Sequence, residues 1–441
     1  MDFKRTFKFA NLLNLMKKKI YNCFLYILHI LVFITCYLNT PRLCAYLIKI
    51  SLFQHKSSKK KINSKKTILV LYRAIGERDI KIVQKSSNII PQIFFMRRTI
   101  VKLIFYFFSG KKKIFFNYVK SGLNFTREDY FNQSEKNKVR LEIFWTDVIN
   151  NLKSLYKNNI LELVTFNCNY YSEIPLYAAC KRNHVHVKLW FKECFRSDPG
   201  TEWFIKENKN SRVFQFIDKI SVYNKSMKNA LIAINNSNRK KITVNGCPRI
   251  FDYINKTKYY KKIKDILFLS FHNKSGIPPY KNNKSLNWNT SYNKTVKILN
   301  ELSNNKNLNI VIKRKKNSNY KPKLKINKKI KVFEDGTAQK YINQADIIIG
   351  QNSASTIEAL VNGKHVLVPF FEKKKILKKY LYNFNKQIIY NSEKKMKKII
   401  LNLIDKKFIF PLKNTKNQKT IYSYYGSSKN IIKNYEKFLN S

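Results

Sequence analysis

Short apolar runs alternate with stretches of helical spacing along most of this chain. Residues 67–72, Thr-Ile-Leu-Val-Leu-Tyr, form a run of the length and β-branched content of a buried strand, and residues 89–96, 161–167, 185–191 and 220–223 repeat it. Between them, residues 173–181 and 226–234 carry helical periodicity. Past residue 246 the rhythm resumes, with strands at 266–271, 309–312, 330–333, 347–349 and 365–368 and helices at 292–304 and 337–344. Such alternation predicts parallel sheets covered by helices on both faces, and the second half reads as a Rossmann-like nucleotide-binding unit. Residues 100–158 are ambiguous: the aromatic run at 103–108 fits a strand or a buried helix, whereas 142–155 has helical spacing.

The N-terminus departs from this rhythm. Residues 21–38 carry no charge, and Asn22, His29 and Thr35 are their only strongly polar side chains; a second apolar run, 43–53, follows Pro41 and Arg42. Eighteen uncharged residues reach the lower limit for a spanning helix. No small-residue cleavage site closes the run, which argues against a secretory signal. Lys17 to Lys19 on one side are balanced by Arg42, Lys49 and the lysines of 56–61 on the other, so loop charge sets no orientation. Two readings stand: a re-entrant or surface-lying helical pair, or two ordinary helices packed on the first domain.

The length of 441 residues exceeds what one hydrophobic core usually supports, so two domains are expected. The net charge of +61 would suit nucleic acid if it were gathered on one face. Lysine is instead spread through nearly every segment and no RNA-binding signature accompanies it, so nucleic acid is set aside as a partner. The same charge favours nucleotide substrates and anionic membrane surfaces. Seven cysteines, at 23, 36, 44, 168, 180, 194 and 247, form neither a disulfide framework nor a Cys-x-x-Cys zinc spacing, which fits a reducing cytoplasm. Asp265, Asp335 and Asp346 stand alone, with no Asp-x-Asp pattern, and neither metal nor cofactor is expected.

The most informative stretch is residues 345–371, ADIIIGQNSASTIEALVNGKHVLVPFF. It reads as a strand, a glycine turn, a hydroxyl-rich helix start, a short helix closed by Gly363, and a second strand stopped by Pro369. Helix-start amides lack intrahelical acceptors and carry about half a positive charge, so Ser353, Ser355 and Thr356 would surround a site suited to phosphate. Glu358, one turn in, has two readings: contact with ribose hydroxyls, or a capping box with Ser355.

Residues 352–360, with Gly363, Lys364 and Pro369, resemble the nucleotide-sugar half of GT-B glycosyltransferases, especially bacterial capsule and lipopolysaccharide biosynthesis proteins and the related UDP-N-acetylglucosamine epimerase. Residues 241–252, KITVNGCPRIFD, are similar to the segment that opens the second domain in that group, and residues 424–428 to the tail preceding a returning C-terminal helix. The resemblance covers roughly residues 160–441 and implies an α/β, GT-B-like fold: two Rossmann-like parallel-sheet domains facing a cleft. With the apolar helices and basic linker read from the residues at 1–60, it implies an acceptor domain at 61–245, a nucleotide-sugar domain at 246–415 and a returning helix at 416–441. By the same resemblance Ser353, Ser355 and Thr356 would hold a diphosphate, Glu358 the ribose or sugar, and Gly246 to Arg249 the cleft edge, with Asn352 counted among the donor-binding residues.

A glycosyl transfer needs a grip on the leaving diphosphate, a base for the acceptor hydroxyl, and exclusion of water. Arg249 or Lys313 would aid the first, although Lys313 opens a run of basic residues that can be merely solvated. Candidates for the base are Glu173 and Glu193, each at a strand's carboxyl end, with His184 a weaker choice. The reading is a glycosyltransferase at the cytoplasmic face of the membrane, taking a nucleotide-sugar donor and a glycan or lipid-linked acceptor. A span with its N-terminus inside would carry the catalytic domains away from nucleotide sugars. Alternatives are epimerisation of a nucleotide sugar, transfer from a CDP-polyol, for which His272 and His365 are the histidines available in domain two, and a non-catalytic binding protein.

Overall fold

The computed structural model describes residues 3–54, 61–87, 89–109, 130–156, 160–168, 170–209, 211–251, 258–314, 325–412, 418–426 and 430–441. Part of the basic linker, residues 110–129, Asp252, Lys315, Lys316 and the end of the 424–428 segment lie outside them.

The chain divides into two compact units. The first comprises Met1–Phe191, Arg212–Ser221 and Tyr435–Ser441, and the second Lys192–Ser211 and Val222–Asn434. The apolar N-terminal helices thus belong to the first unit, and the chain changes unit at 191/192, 211/212, 221/222 and 434/435 instead of at a single point near 245.

The chain begins with α1 (Phe3–Tyr37) and α2 (Pro41–Ser51) and then enters β1 (Lys61–Leu71), which starts six residues before the apolar run expected as the first strand. There follow α3 (Ala74–Ser86), β2 (Ile89–Met96), α4 (Arg98–Phe108), α5 (Glu135–Leu155), β3 (Ile160–Thr165), α6 (Ile174–Arg182), β4 (His186–Trp190), α7 (Asp198–Asn208), β5 (Lys219–Val222), α8 (Lys225–Ile234) and β6 (Ile242–Val244). The aromatic run left open in the sequence is α4. Ile100, Val101, Leu103, Ile104 and Phe105 are all inaccessible to solvent, so it is a helix apolar on nearly every side.

The first sheet has the order β2-β1-β3-β4-β5-β6, with parallel pairing from β2 through β5. A charged line crosses its centre. Glu162 of β3, 1% exposed, lies 2.9 Å from Lys66 of β1 and 2.8 Å from Lys188 of β4. Burial pushes the Lys188 ammonium down to about 8, against the pull of Glu162. Lys188 Nζ also donates to the carbonyl of Phe438, and Trp190 stacks on Tyr435 at 3.9 Å between ring centres. Those contacts tie the C-terminal residues to this sheet, a cation meeting a helix C-terminus as the macrodipole favours.

The second unit continues with β7 (Tyr259–Lys262), β8 (Asp265–Leu269), α9 (Asn289–Leu302), β9 (Asn309–Lys313), β10 (Lys331–Phe333), α10 (Ala338–Gln344), β11 (Ile347–Ile349), α11 (Ala354–Val361) and β12 (His365–Pro369). It ends with β13 (Ile389–Tyr390), α12 (Glu393–Leu403), β14 (Lys407–Phe410), α13 (Gln418–Tyr425) and α14 (Ile431–Asn440). Its sheet runs β10-β9-β8-β11-β12-β13 with parallel pairing throughout, while β14 and β7 form a separate antiparallel pair. The central β11 is Ile-Ile-Ile, wholly buried, as strands covered on both faces require. Two helix-covered parallel sheets in one chain make the fold α/β and GT-B-like.

Candidate functional site

In the second sheet the chain steps from β8 outward to β9 and β10, then returns to the other side of β8 as β11. This reversal makes a crevice at the carboxyl ends of β8 and β11, the position where open α/β sheets receive ligands. The turn after β11 carries residues 350–353, and α11 starts at its end. Ser353 is the N-cap, its Oγ accepting from the Ser355 amide at 3.2 Å, and both serines are partly exposed.

Asn352, expected among the donor-binding residues, has its side chain engaged within the fold. It sits in the left-handed region at φ 41°, which Asn tolerates better than most residues. Its Nδ2 donates to the carbonyls of Ser275 and Tyr380, both at 3.0 Å, and its Oδ1 accepts from the Tyr382 amide at 2.9 Å. Ser275 Oγ in turn donates to the Asn352 carbonyl at 3.1 Å. Asn352 therefore fastens the β11 turn to the loop after β8 and to residues 380–382. Gly276 is held against this bracket at φ +76°, where an added Cβ would stand 2.9 Å from Asn352 Nδ2 and 3.0 Å from the Tyr380 carbonyl.

Thr356, expected beside the two serines at the phosphate, is fully buried in the first turn of α11. Its Oγ1 and the Oε1 of Gln351 have no hydrogen-bond partner among the described residues. Glu358 is also buried, and it accepts from Arg249 Nη1 at 2.6 Å. The capping box does not form: the helix begins two residues before it would require, so Ser355 lies inside α11 and its amide turns to Ser353. Arg249 is 3% exposed, with its guanidinium 5.7 Å from the Tyr223 ring centre and 5.9 Å from that of Phe195.

Gly246, at φ +80°, begins the loop that delivers Arg249. The Cys247 amide donates to the Tyr425 carbonyl at 2.8 Å, and Asn224 Nδ2 to that of Tyr424 at 3.0 Å. Gly426 is needed at this junction, since a Cβ there would lie 2.3 Å from the Tyr223 carbonyl oxygen. Segments 246–249, 353–358 and 424–426, far apart in sequence, are thus brought together.

A cavity of about 260 Å³ adjoins the bracket, lined among others by Phe195, Arg196, Trp203, Gly276, Pro278 and Tyr382. A larger one, about 760 Å³ and within the range of small-ligand pockets, shares Tyr382 and adds Asp198, Tyr280, Asn283 and Lys378. Burial pushes the Tyr382 phenol up to about 12, with Arg196 pulling it down and Glu193 adding to the rise. Glu193 is therefore within electrostatic reach of this cavity; its carboxylate meets Lys192 at 2.5 Å and its side chain is 41% exposed. The sequence reading passed over α7, although Ser197-Asp-Pro-Gly is a helix-start signature: Ser197 caps it by accepting from the Gly200 amide at 3.3 Å.

The remaining expected residues fall elsewhere. Lys313 is 8% exposed and donates to the carbonyls of Arg314 and Glu334, at 2.5 and 2.8 Å, so its ammonium, lowered by burial, closes the end of β9. Glu173 is in the first unit and fully buried. It accepts from Arg98, from Tyr177 Oη at 2.5 Å and from Thr165 Oγ1 at 3.3 Å, so its carboxylate is engaged by three side chains. The network stands at the first sheet's own reversal, between β1 and β3, where Arg73 and Arg98 flank the Tyr170 ring at 4.2 and 3.6 Å. Lys102 beside them is pushed down by burial and then by Arg98, while Glu173 pulls it up.

His272 is exposed after β8, its Nδ1 accepting from the Lys274 amide at 3.0 Å, whereas His365 begins β12 at the sheet's opposite end. His365 packs edge-on against Phe408 at 4.7 Å, and burial pushes its imidazole down to about 4 against the pull of Asp346. With the folded value below the ordinary 6.5, the stability it contributes is complete above pH 6.5 and is lost as pH falls toward 4. His365→Leu is expected to flatten that window by on the order of 3 kcal/mol, as read from urea midpoints at several pH values. Among the described residues no cluster of His, Cys, Asp and Glu is placed to hold a metal ion.

Neither a family model nor a curated protein sequence matches the chain. Solved structures do resemble it. UDP-GlcNAc 2-epimerase from Methanocaldococcus jannaschii is 12% identical, with a TM-score of 0.47 over 86% of this chain and 100% of that one. The same enzyme from Neisseria meningitidis, bound to UDP-GlcNAc, is 12% identical with a TM-score of 0.46 over 86% and 100%. A variant of the wall teichoic acid polymerase TagF is 11% identical with a TM-score of 0.45 over 91% and 92%.

Proposed function

We propose that the protein is a glycosyltransferase that takes a nucleotide-diphosphate sugar in the second unit and passes the sugar to a surface-polysaccharide acceptor at the cytoplasmic face of the membrane. The observation that carries this reading is the start of α11 at the β8/β11 reversal, with Ser353 and Ser355 partly exposed beside the bracket that Asn352 makes. Helix-start amides there suit the diphosphate and would stabilise charge developing on it as the glycosidic bond breaks. Arg249 and Glu358, locked together, would fix the floor of the donor site. Glu193, the more exposed of the two candidate carboxylates, is the base in this reading, while Glu173 holds Arg98 in place. The cations around Tyr170 suit an acceptor that carries negative charge. Transfer from a CDP-polyol is disfavoured because His272 and His365 stand at opposite ends of the sheet.

Product analysis tests the reaction. With a panel of nucleotide sugars and a polysaccharide-containing membrane extract, release of nucleoside diphosphate that requires the acceptor is the expected result. Nucleoside monophosphate release would mean phosphopolyol transfer, and a changed sugar without an acceptor would mean epimerisation. Binding with no turnover of any donor would leave a non-catalytic protein.

A further inference from the structure

The helix α1 includes an 18-residue window, Ile20–Tyr37, with a mean hydropathy of 1.8, of which only 22% is buried. One face of it is core. Leu28, Val32, Thr35 and Cys36 are at most 3% exposed, Phe33 meets Phe107 of α4 edge-on at 5.2 Å, and His29 reaches Thr99 Oγ1 at 3.2 Å. The other face is equally apolar and is not covered by the described residues: Ile20, Phe24, Ile27, Leu31 and Ile34, spaced four, three, four and three residues apart, are 41 to 67% exposed. The next helix repeats the arrangement, with Cys44, Ala45 and Ile48 of α2 inaccessible and Leu43 and Ile50 about half exposed or more. A helix apolar all round needs an apolar neighbour on every side, and here the protein supplies one side only.

Charge identifies the other neighbour. From residue 3 to residue 76 the chain has twelve lysines and three arginines and no aspartate or glutamate. A protein partner for an apolar stripe does not call for that excess, whereas an anionic bilayer surface attracts each cation by about 1 kcal/mol. A spanning role conflicts with the packed face, because Phe33 and His29 meet α4 and Leu28 and Val32 are buried, so the helix cannot meet lipid on all sides.

We propose that α1 and α2 form a monotopic docking surface that lies in the interface of an anionic membrane, the exposed stripe of α1 sunk among the acyl chains and the flanking lysines at the headgroups. The proposal rests on the membrane-face part of the functional reading but not on the reaction, so lipid binding and turnover can fail separately.

Co-sedimentation of full-length protein tests it, using vesicles of phosphatidylcholine alone or mixed in equal parts with phosphatidylglycerol. Binding to the mixed vesicles about tenfold or more above the neutral ones is expected, with release by alkaline carbonate. The substitutions Ile27→Asp and Leu31→Asp, both on the exposed stripe, should each weaken it about tenfold. Phe24→Ser with Ile34→Ser, a milder pair checked by circular dichroism and thermal melting, should do the same without altering the melt. Unchanged binding in these variants, or retention through carbonate, would overturn the proposal. So would absence of vesicle binding with a dimer that the same variants dissociate, which would make the stripe a self-association face.

Discussion

Arg249→Met is expected to destabilise the second unit by about 3 to 5 kcal/mol, because it removes the cation that faces the Glu358 carboxylate in a buried site. The pair is 2.6 Å apart and its side chains are 3 and 7% exposed, so neither charge can turn to solvent when the other is removed. Restoring neutrality should restore most of the loss. Arg249→Met with Glu358→Leu is expected to melt much closer to the parent than either single variant, since well-packed apolar replacements for a buried pair are frequently neutral. A double-mutant cycle in urea measures the coupling. A single-variant cost near 1 kcal/mol would instead mean that the pair contributes no more than an exposed ion pair does.

The pair also marks where sequence reading stops. Apolar runs announced β2, β3, β4, β5, β8, β9, β11 and β12 because parallel strands buried on both faces are near-continuous in Ile, Leu and Val. The helix start at Ser353 was equally legible, since a hydroxyl before an apolar periodic run has a local cause. Glu358 was not, because its partner lies 109 residues away and neither residue signals the other. Glu173 shows the same limit: its position at a strand's end suggested catalysis, while Arg98, 75 residues earlier, occupies it. Asn352 was read as a ligand contact when its side chain is spent on three backbone groups that only the fold brings near. The passage of Lys192–Ser211 into the second unit leaves no compositional trace either. At the N-terminus one face of α1 packs on α4 through Phe33 and His29, as the core-helix reading expected, while Ile27 and Leu31 on its other face are exposed.

The central claim is that the start of α11 grips a diphosphate, and titration calorimetry of the full-length protein with uridine and cytidine di- and monophosphates addresses it directly. The second phosphate adds charge-assisted hydrogen bonds worth about 1.5 to 3 kcal/mol, so one of the two diphosphates should bind about 10- to 100-fold more tightly than its monophosphate. Ser353→Glu, which sets a carboxylate where the phosphate would rest, should erase that difference while leaving the melting temperature close to the parent's, since an acidic N-cap is compatible with the helix dipole. Equal affinities for di- and monophosphate, or a preference that survives Ser353→Glu, would contradict the account.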